Sequence, residues 1–358
     1  MNLLFLCKRF PQGRDLLTRP YGRFYHIPRA LAVRGHRVHV ALLSYRGLPS
    51  EHKTSNGVSW SSDDVWPRGP LAYLRRVQGI AAASPPDWVI GVSDTYFGVL
   101  ARRLARRCGA RCAIDAYDDF ESYIPWAFPL HRAWRNALAA ADLVTAAGPQ
   151  LARLLESRGA RSAHVLPMAA DPEFQMLDRA QSRARLGLPA DRRLIGHIGA
   201  LDRRRGRTVV LRALREIRDT RQDVSMVLSG RQSLALHQPP AILGLGYISD
   251  DLMPVLVNSL DVACVALADN AFARSSYPVK LCEALACRVP VVASATEPVR
   301  WMLGDDRRFL ADLESSSAMA ERIAANLSLG RPDYGPLASW TEVAALLGLL
   351  LDAAGASA

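Results

Sequence analysis

Short apolar runs alternate with amphipathic stretches along this chain, and the alternation runs through twice. In the first half Asn2–Cys7, His36–Leu43, Trp88–Val92, Arg111–Asp115, Leu143–Ala146 and Ala163–Leu166 read as buried strands. Between them Tyr21–Arg34, Pro70–Ala82, Thr95–Arg107, Pro129–Ala140 and Pro149–Arg158 carry apolar residues at helical spacing, and Ser93 or Asp94 can cap the third of these. The pattern lapses between Met168 and Leu186, where Asp171-Pro172 and several charges mark a boundary. It then restarts. Leu194–Gly199, Val224–Ser229, Ile242–Leu245, Val262–Leu267 and Val289–Ala293 read as strands, and Thr208–Arg218, Asp251–Ser259, Val279–Cys287, Pro298–Leu303 and Ser316–Leu327 as helices. A last helix is expected over Trp340–Ala353. Strands joined by helical crossovers make parallel sheets with both faces covered. The expectation is therefore α/β: two Rossmann-like doubly wound domains facing across a cleft, at 1–167 and 168–335, followed by a C-terminal helical segment at 336–358. Ligands of such sheets bind off the carboxyl ends of the strands, so two facing sheets would bracket a donor and an acceptor.

Composition narrows the classes. The 358 residues carry a formal charge of +11, and only Lys8, Lys53 and Lys280 among the 45 basic residues are lysines. That excess suits an anionic partner: a phosphate-bearing substrate or an anionic membrane surface. No zinc-finger spacing, leucine-zipper heptad or aromatic RNA-binding signature accompanies it, so no nucleic-acid partner is expected. Cys108/Cys112 and Cys282/Cys287 lack zinc spacing and matching histidines, which predicts free thiols, and Asp118-Asp119 and Asp250-Asp251 are adjacent pairs instead of an Asp-x-Asp motif, which predicts no metal. No run approaches a membrane span, and the N-terminus places its apolar residues before its basic ones, unlike a signal peptide. A cytoplasmic protein is expected, with peripheral contact to the inner membrane face as an option.

The densest chemistry lies in 270–294, NAFARSSYPVKLCEALACRVPVVAS. Pro278 suits a helix start. A helix N-terminus offers free N–H groups and partial positive charge to a phosphate, and Lys280 adds a full charge there. Glu283 can accept from two hydroxyls at once, as a ribose presents them. The bland alternative is a surface lysine beside a first-turn carboxylate.

This segment resembles the donor-site motif of the GT-B glycosyltransferases of group 1, the family 4 type. Glu283 matches the second glutamate of their paired motif, and Pro290, Val291 and Val292 match the run beyond that glutamate; the first glutamate is replaced by Ser275. Gly199–Gly206, GALDRRRG, is similar to their diphosphate loop, with Ala200 and Arg205 where that loop has Arg and Lys; Arg203 or Arg204 could reach the same phosphates. Leu166–Phe174 resembles their interdomain stretch, Gly246-Tyr247 their base-binding turn, and Ser339-Trp340 the start of their C-terminal segment, which implies that 336–358 packs back on the N-terminal domain. Arg19–His36 looks like their glycine loop and first helix, with Gly22 letting backbone approach the donor.

The resemblance implies transfer of a sugar from a UDP- or GDP-sugar to a saccharide, lipid-linked or small-molecule acceptor, in glycan, lipid-linked saccharide or glycoconjugate synthesis. It implies retention of configuration and needs no cofactor. Lys280 and Arg205 would hold the diphosphate as its charge grows, and Gly22, Gly199, Arg204, Tyr247, Pro278 and Glu283 would bind the donor. Asp115 and Asp118, in DAYDDFE after a strand, are candidates to orient the acceptor hydroxyl or take its proton. An inverting enzyme with Asp118 as base stays open, as does a catalytically degenerate partner subunit. An NAD enzyme does not fit, because CKRFPQG after the first strand lacks the dinucleotide fingerprint. Tyr123–Trp134 can contact a sugar, a lipid or the core, and Trp66–Arg76 mixes apolar and basic residues as an anionic bilayer would require.

Overall fold

The computed structural model describes residues 1–66, 69–197, 201–202, 206–230 and 233–356. The chain forms two compact units, Met1–Ala169 with Ala338–Ala358, and Ala170–Leu337.

In unit 1 the elements run β1 (Asn2–Lys8), α1 (Arg23–Val33), β2 (Arg37–Ser44), β3 (Glu51–Ser55), β4 (Val58–Asp64), α2 (Pro70–Ala83), β5 (Trp88–Val92), α3 (Thr95–Cys108), β6 (Arg111–Ala116), α4 (Phe128–Ala140), β7 (Leu143–Ala146), α5 (Pro149–Ser157) and β8 (His164–Val165). They form one sheet in the order β3-β4-β2-β1-β5-β6-β7-β8, parallel except for β3 against β4. Its centre is dry: Leu3 to Cys7 of β1 are at most 3% exposed. Each such side chain taken fully out of water contributes about 1.5–3 kcal/mol. The β3–β4 hairpin departs from the all-parallel expectation. Asn56 and Gly57, both at positive φ (52° and 77°), make its two-residue turn. β3 is exposed along nearly its whole length, so no apolar pattern announces it.

Two glycines set the spacing behind β6. A Cβ on Gly91 of β5 would lie 2.5 Å from the Phe97 carbonyl oxygen, and one on Gly98 of α3 would lie 2.3 Å from the Trp134 ring. α3 therefore lies close on β5, and the buried indole of α4 rests where a side chain of α3 would be. Asp94 caps α3, accepting from the N–H groups of Tyr96 and Phe97.

Unit 2 continues with α6 (Arg179–Leu186), β9 (Arg193–His197), α7 (Arg207–Thr220), β10 (Val224–Leu228), β11 (Ile242–Gly244), α8 (Met253–Asn258), β12 (Val262–Val265), α9 (Val279–Ala286), β13 (Val291–Ser294), α10 (Glu297–Met302), β14 (Leu310–Ala311) and α11 (Ser316–Asn326). Its sheet is parallel in the order β11-β10-β9-β12-β13-β14. α6 occupies the stretch that reads as a lapse. It is capped by Asp178 and stopped by left-handed Gly187. Its buried residues are Ser182 and Arg183 instead of an apolar stripe. Arg183 donates to Asp261 (2.6 Å), which also pairs with Arg179 (2.8 Å) and Arg193 (3.4 Å). Arg331 donates to the carbonyls of Leu177 (3.3 Å), Asn258 (2.9 Å) and Cys287 (3.1 Å).

α12 (Trp340–Ala356) belongs to unit 1 and packs on α1, with the Trp340 ring stacked on His26. Ser339 and Glu342 exchange hydrogen bonds as a capping box. The six cysteines are unpaired. Among the described residues no helix is long and apolar enough to cross a membrane.

Candidate functional site

In unit 2 the parallel strands send their following loops to one edge. Between β12 and α9 the chain makes a turn in which Asn270 accepts from the Ala273 N–H (2.9 Å). Pro278 is the N-cap of α9 (φ −69°, ψ 116°), one residue earlier than a first helical position, and Val279 opens the helix. Lys280 Nζ lies 3.0 and 3.3 Å from the two Glu283 oxygens. The glutamate is fully buried, while the lysine side chain is 32% exposed. A buried carboxyl group is thus paired with an ammonium group that still reaches solvent, at the positive end of a helix. Ser275 is buried, and its hydroxyl has no hydrogen-bond partner among the described residues.

Gly206 brings a second loop to this edge. It is the N-cap of α7 at φ +65°, and a Cβ there would lie 2.9 Å from the Ala266 side chain. The end of GALDRRRG therefore abuts the residue that opens the segment leading to α9. Gly199, Arg204 and Arg205 lie outside the described residues. Tyr247 follows left-handed Gly246 and is 70% exposed. The structure thus brings Pro278, Lys280 and Glu283 together on one turn and puts Tyr247 on a separate loop after β11.

In unit 1, Gly22 is the N-cap of α1 at φ 66°, ψ −161°, a conformation essentially confined to glycine. The next residue is the unexpected one. Arg23 is buried and donates to both Asp115 oxygens (2.7 and 2.6 Å) and to the Pro167 carbonyl (3.2 Å). Thr145 donates a further bond to Asp115 (2.7 Å). The Asp115 carboxylate thus accepts three hydrogen bonds inside the unit and orients the Arg23 guanidinium. The sequence signal was available. A cation in the first turn of a helix opposes the helix dipole, which marks Arg23 as unusual without naming its partner.

Asp118 stands differently. It follows β6 on a loop held by Asp119, which pairs with Arg158, and by Glu121, which binds Arg135 through both oxygens (3.0 and 2.7 Å). Tyr123 donates its hydroxyl to Asp118 (2.6 Å), and the Asp119 N–H donates to the other oxygen (3.0 Å). Burial pushes the Asp118 carboxyl up to about 7, against the pull of those two hydrogen bonds and with some help from the Asp119 charge. A carboxyl that titrates near neutrality is suited to take or give a proton.

Comparison with known proteins agrees with this layout. The family described as Glycosyl transferases group 1 matches residues 178–334, and the Glycosyl transferase 4-like domain matches 23–171. The Bacillus subtilis protein named as a teichuronic acid biosynthesis glycosyltransferase, TuaC, is 28% identical over 252 residues. That match takes in 64% of this chain and 61% of the relative's length. Among solved structures, a sucrose-phosphate synthase from Thermosynechococcus elongatus superposes with a TM-score of 0.78 at 16% identity, covering 100% of both chains. Anabaena Alr3699/HepE in complex with UDP superposes with a TM-score of 0.75 at 16% identity, covering 99% of this chain and 100% of that one. The chain belongs to the group 1, family 4-like glycosyltransferases of the GT-B fold.

Proposed function

We propose that the chain moves a sugar from a nucleoside-diphosphate sugar to an acceptor hydroxyl in the assembly of a glycan or lipid-linked saccharide. The observation that carries this reading is the turn at α9, where an accessible lysine and a buried glutamate share a helix start. The diphosphate takes Lys280 and the N–H groups at the start of α9. Glu283, relieved of its lysine, accepts from the two ribose hydroxyls. As the bond from the sugar to the diphosphate breaks, negative charge grows on the leaving oxygen, and these donors stabilise it more than the ground state. The start of α7 at Gly206 adds a second helix N-terminus for the same charge. Cationic side chains then do what a metal ion does in other transferases. The UDP and UDP-glucose complexes of the Anabaena protein support a uridine donor, and the name of the Bacillus relative supports a polysaccharide product.

The test is direct. UDP, GDP and NAD are titrated against the full chain by calorimetry, and transfer is assayed over a panel of nucleotide sugars. Lys280→Ala and Glu283→Ala should each cut transfer at least ~100-fold, about 2.7 kcal/mol of barrier. Near-normal turnover in both variants removes the donor assignment. Family resemblance supports retention. The Asp118 carboxyl, near neutrality in a loop that follows a strand, favours a second reading, inversion with Asp118 as base. The anomeric proton coupling in the NMR spectrum of the fresh product separates the two.

A further inference from the structure

The exposed aromatic side chains of unit 1, among the described residues, share one edge. Tyr45 follows β2, Trp66 follows β4, and Tyr123, Trp126 and Phe128 follow β6. These strands run parallel, so all five leave the carboxyl end of the same sheet. Trp126 and Phe128 are 71% and 73% exposed. Pro125 in the loop and Pro129 in the first turn of α4 restrict the backbone that holds them out.

Charge at this edge is sorted by depth. Asp63, Asp64, Asp118, Asp119 and Glu121 are all buried. Glu51, which reaches solvent, is paired with Arg9 (2.9 Å). Four arginines are exposed here: Arg135 and Arg76 neutralise Glu121 (2.7 Å) and Asp63 (3.4 Å), while Arg132 beside the aromatic loop and Arg75 on α2 carry the outward charge. An aromatic ring that stacks on a sugar works with carboxylates or amides that bind the hydroxyls. From Ser122 to Arg135 the chain has no Asp, Glu, Asn or Gln. Large aromatics with arginine flanks and inward carboxylates match the interface of an anionic bilayer, where rings sit at headgroup depth and guanidinium groups meet lipid phosphates.

We propose that the carboxyl edge of the unit 1 sheet docks on an anionic lipid surface, with Trp126 and Phe128 entering the headgroup layer. This deepens the acceptor side of the function proposed above. Tyr123, on the same loop, is bonded to Asp118, so the docked edge would bring the candidate base to an acceptor carried by a lipid.

The full chain is sedimented with phosphatidylcholine vesicles with and without phosphatidylglycerol, in low and high salt, with no nucleotide or acceptor present. Binding should require the anionic lipid and weaken with salt. Trp126→Ser combined with Phe128→Ser should weaken it at least about tenfold. UDP binding and the melting temperature should hold, and Leu349→Ser on α12 should leave vesicle binding unchanged. No binding of the unsubstituted chain to anionic vesicles overturns the proposal. So does equal binding by the double variant. A double variant that raises KM for a soluble saccharide while binding vesicles normally assigns the rings to sugar, and the proposal fails. Because no donor enters the assay, this failure is distinguishable from failure of the transferase reading, which UDP titration reports.

Discussion

Replacing Asp118 with asparagine should make the protein more stable in mild alkali and less active. The Asp118 carboxyl titrates near 7 in the folded chain, against 3.8 ordinarily. Its folded-state value is raised, so the unfolded chain gives up the proton first. Below pH 3.8 both states are protonated and burial of the group costs nothing extra. As pH rises from 3.8 to about 7, the unfolded state gains an ionisation the folded state resists, and stability falls. Above 7 the loss is complete, and the gap corresponds to about 4 kcal/mol. Asparagine carries no charge at any of these values. Its oxygen can still accept from the Asp119 N–H, while its amide must meet the Tyr123 hydroxyl as a donor, an offset of about 1 kcal/mol that does not vary with pH. Urea denaturation of both proteins near pH 4 and pH 8 isolates the pH-dependent part. The variant should gain about 3–4 kcal/mol relative to the parent between the two conditions. The acidic limb of its residual pH–rate profile should vanish. A stability difference that stays constant within about 1 kcal/mol across that range would refute the buried, strained carboxylate.

Two further outcomes concern unit 1. Gly22→Ala places a Cβ in open space but in a backbone conformation that only glycine adopts freely, so it should cost about 1–3 kcal/mol by denaturant titration; a neutral result would mean that α1 can start in another geometry. Arg23→Ala leaves Asp115 charged and buried with Thr145 alone, so it should cost about 3–5 kcal/mol, whereas Arg23→Met with Asp115→Val should recover most of that; a loss under about 1 kcal/mol in the single variant would contradict the ion pair.

The strands were legible because a parallel sheet is buried on both faces and so writes itself as unbroken apolar runs. Leu143–Ala146 and Trp88–Val92 agree to the residue. β3 escaped because an exposed edge strand needs no apolar face, although Asn56-Gly57 is a strong turn signal. α6 escaped because Arg183 and Asp261 anchor it, and a charge pair between distant residues leaves no periodicity. The same holds at the candidate site. Lys280 and Glu283 sit three apart on one helix, so their meeting could be foreseen from spacing. Arg23 and Asp115 lie 92 positions apart, so only the folded sheet reveals that one cancels the other.

The arginine clasp at the base of unit 2 has a practical corollary. Arg331 touches the carbonyl of Leu177, so the segment entering this unit and the segment leaving it are fastened to each other. Asp261 adds a three-way rivet from α6 to the sheet. A lobe closed on itself in this way does not depend on its covalent neighbours for its perimeter. A fragment spanning residues 170–337 should therefore unfold cooperatively in urea on its own, and would then serve crystallography or nucleotide screening.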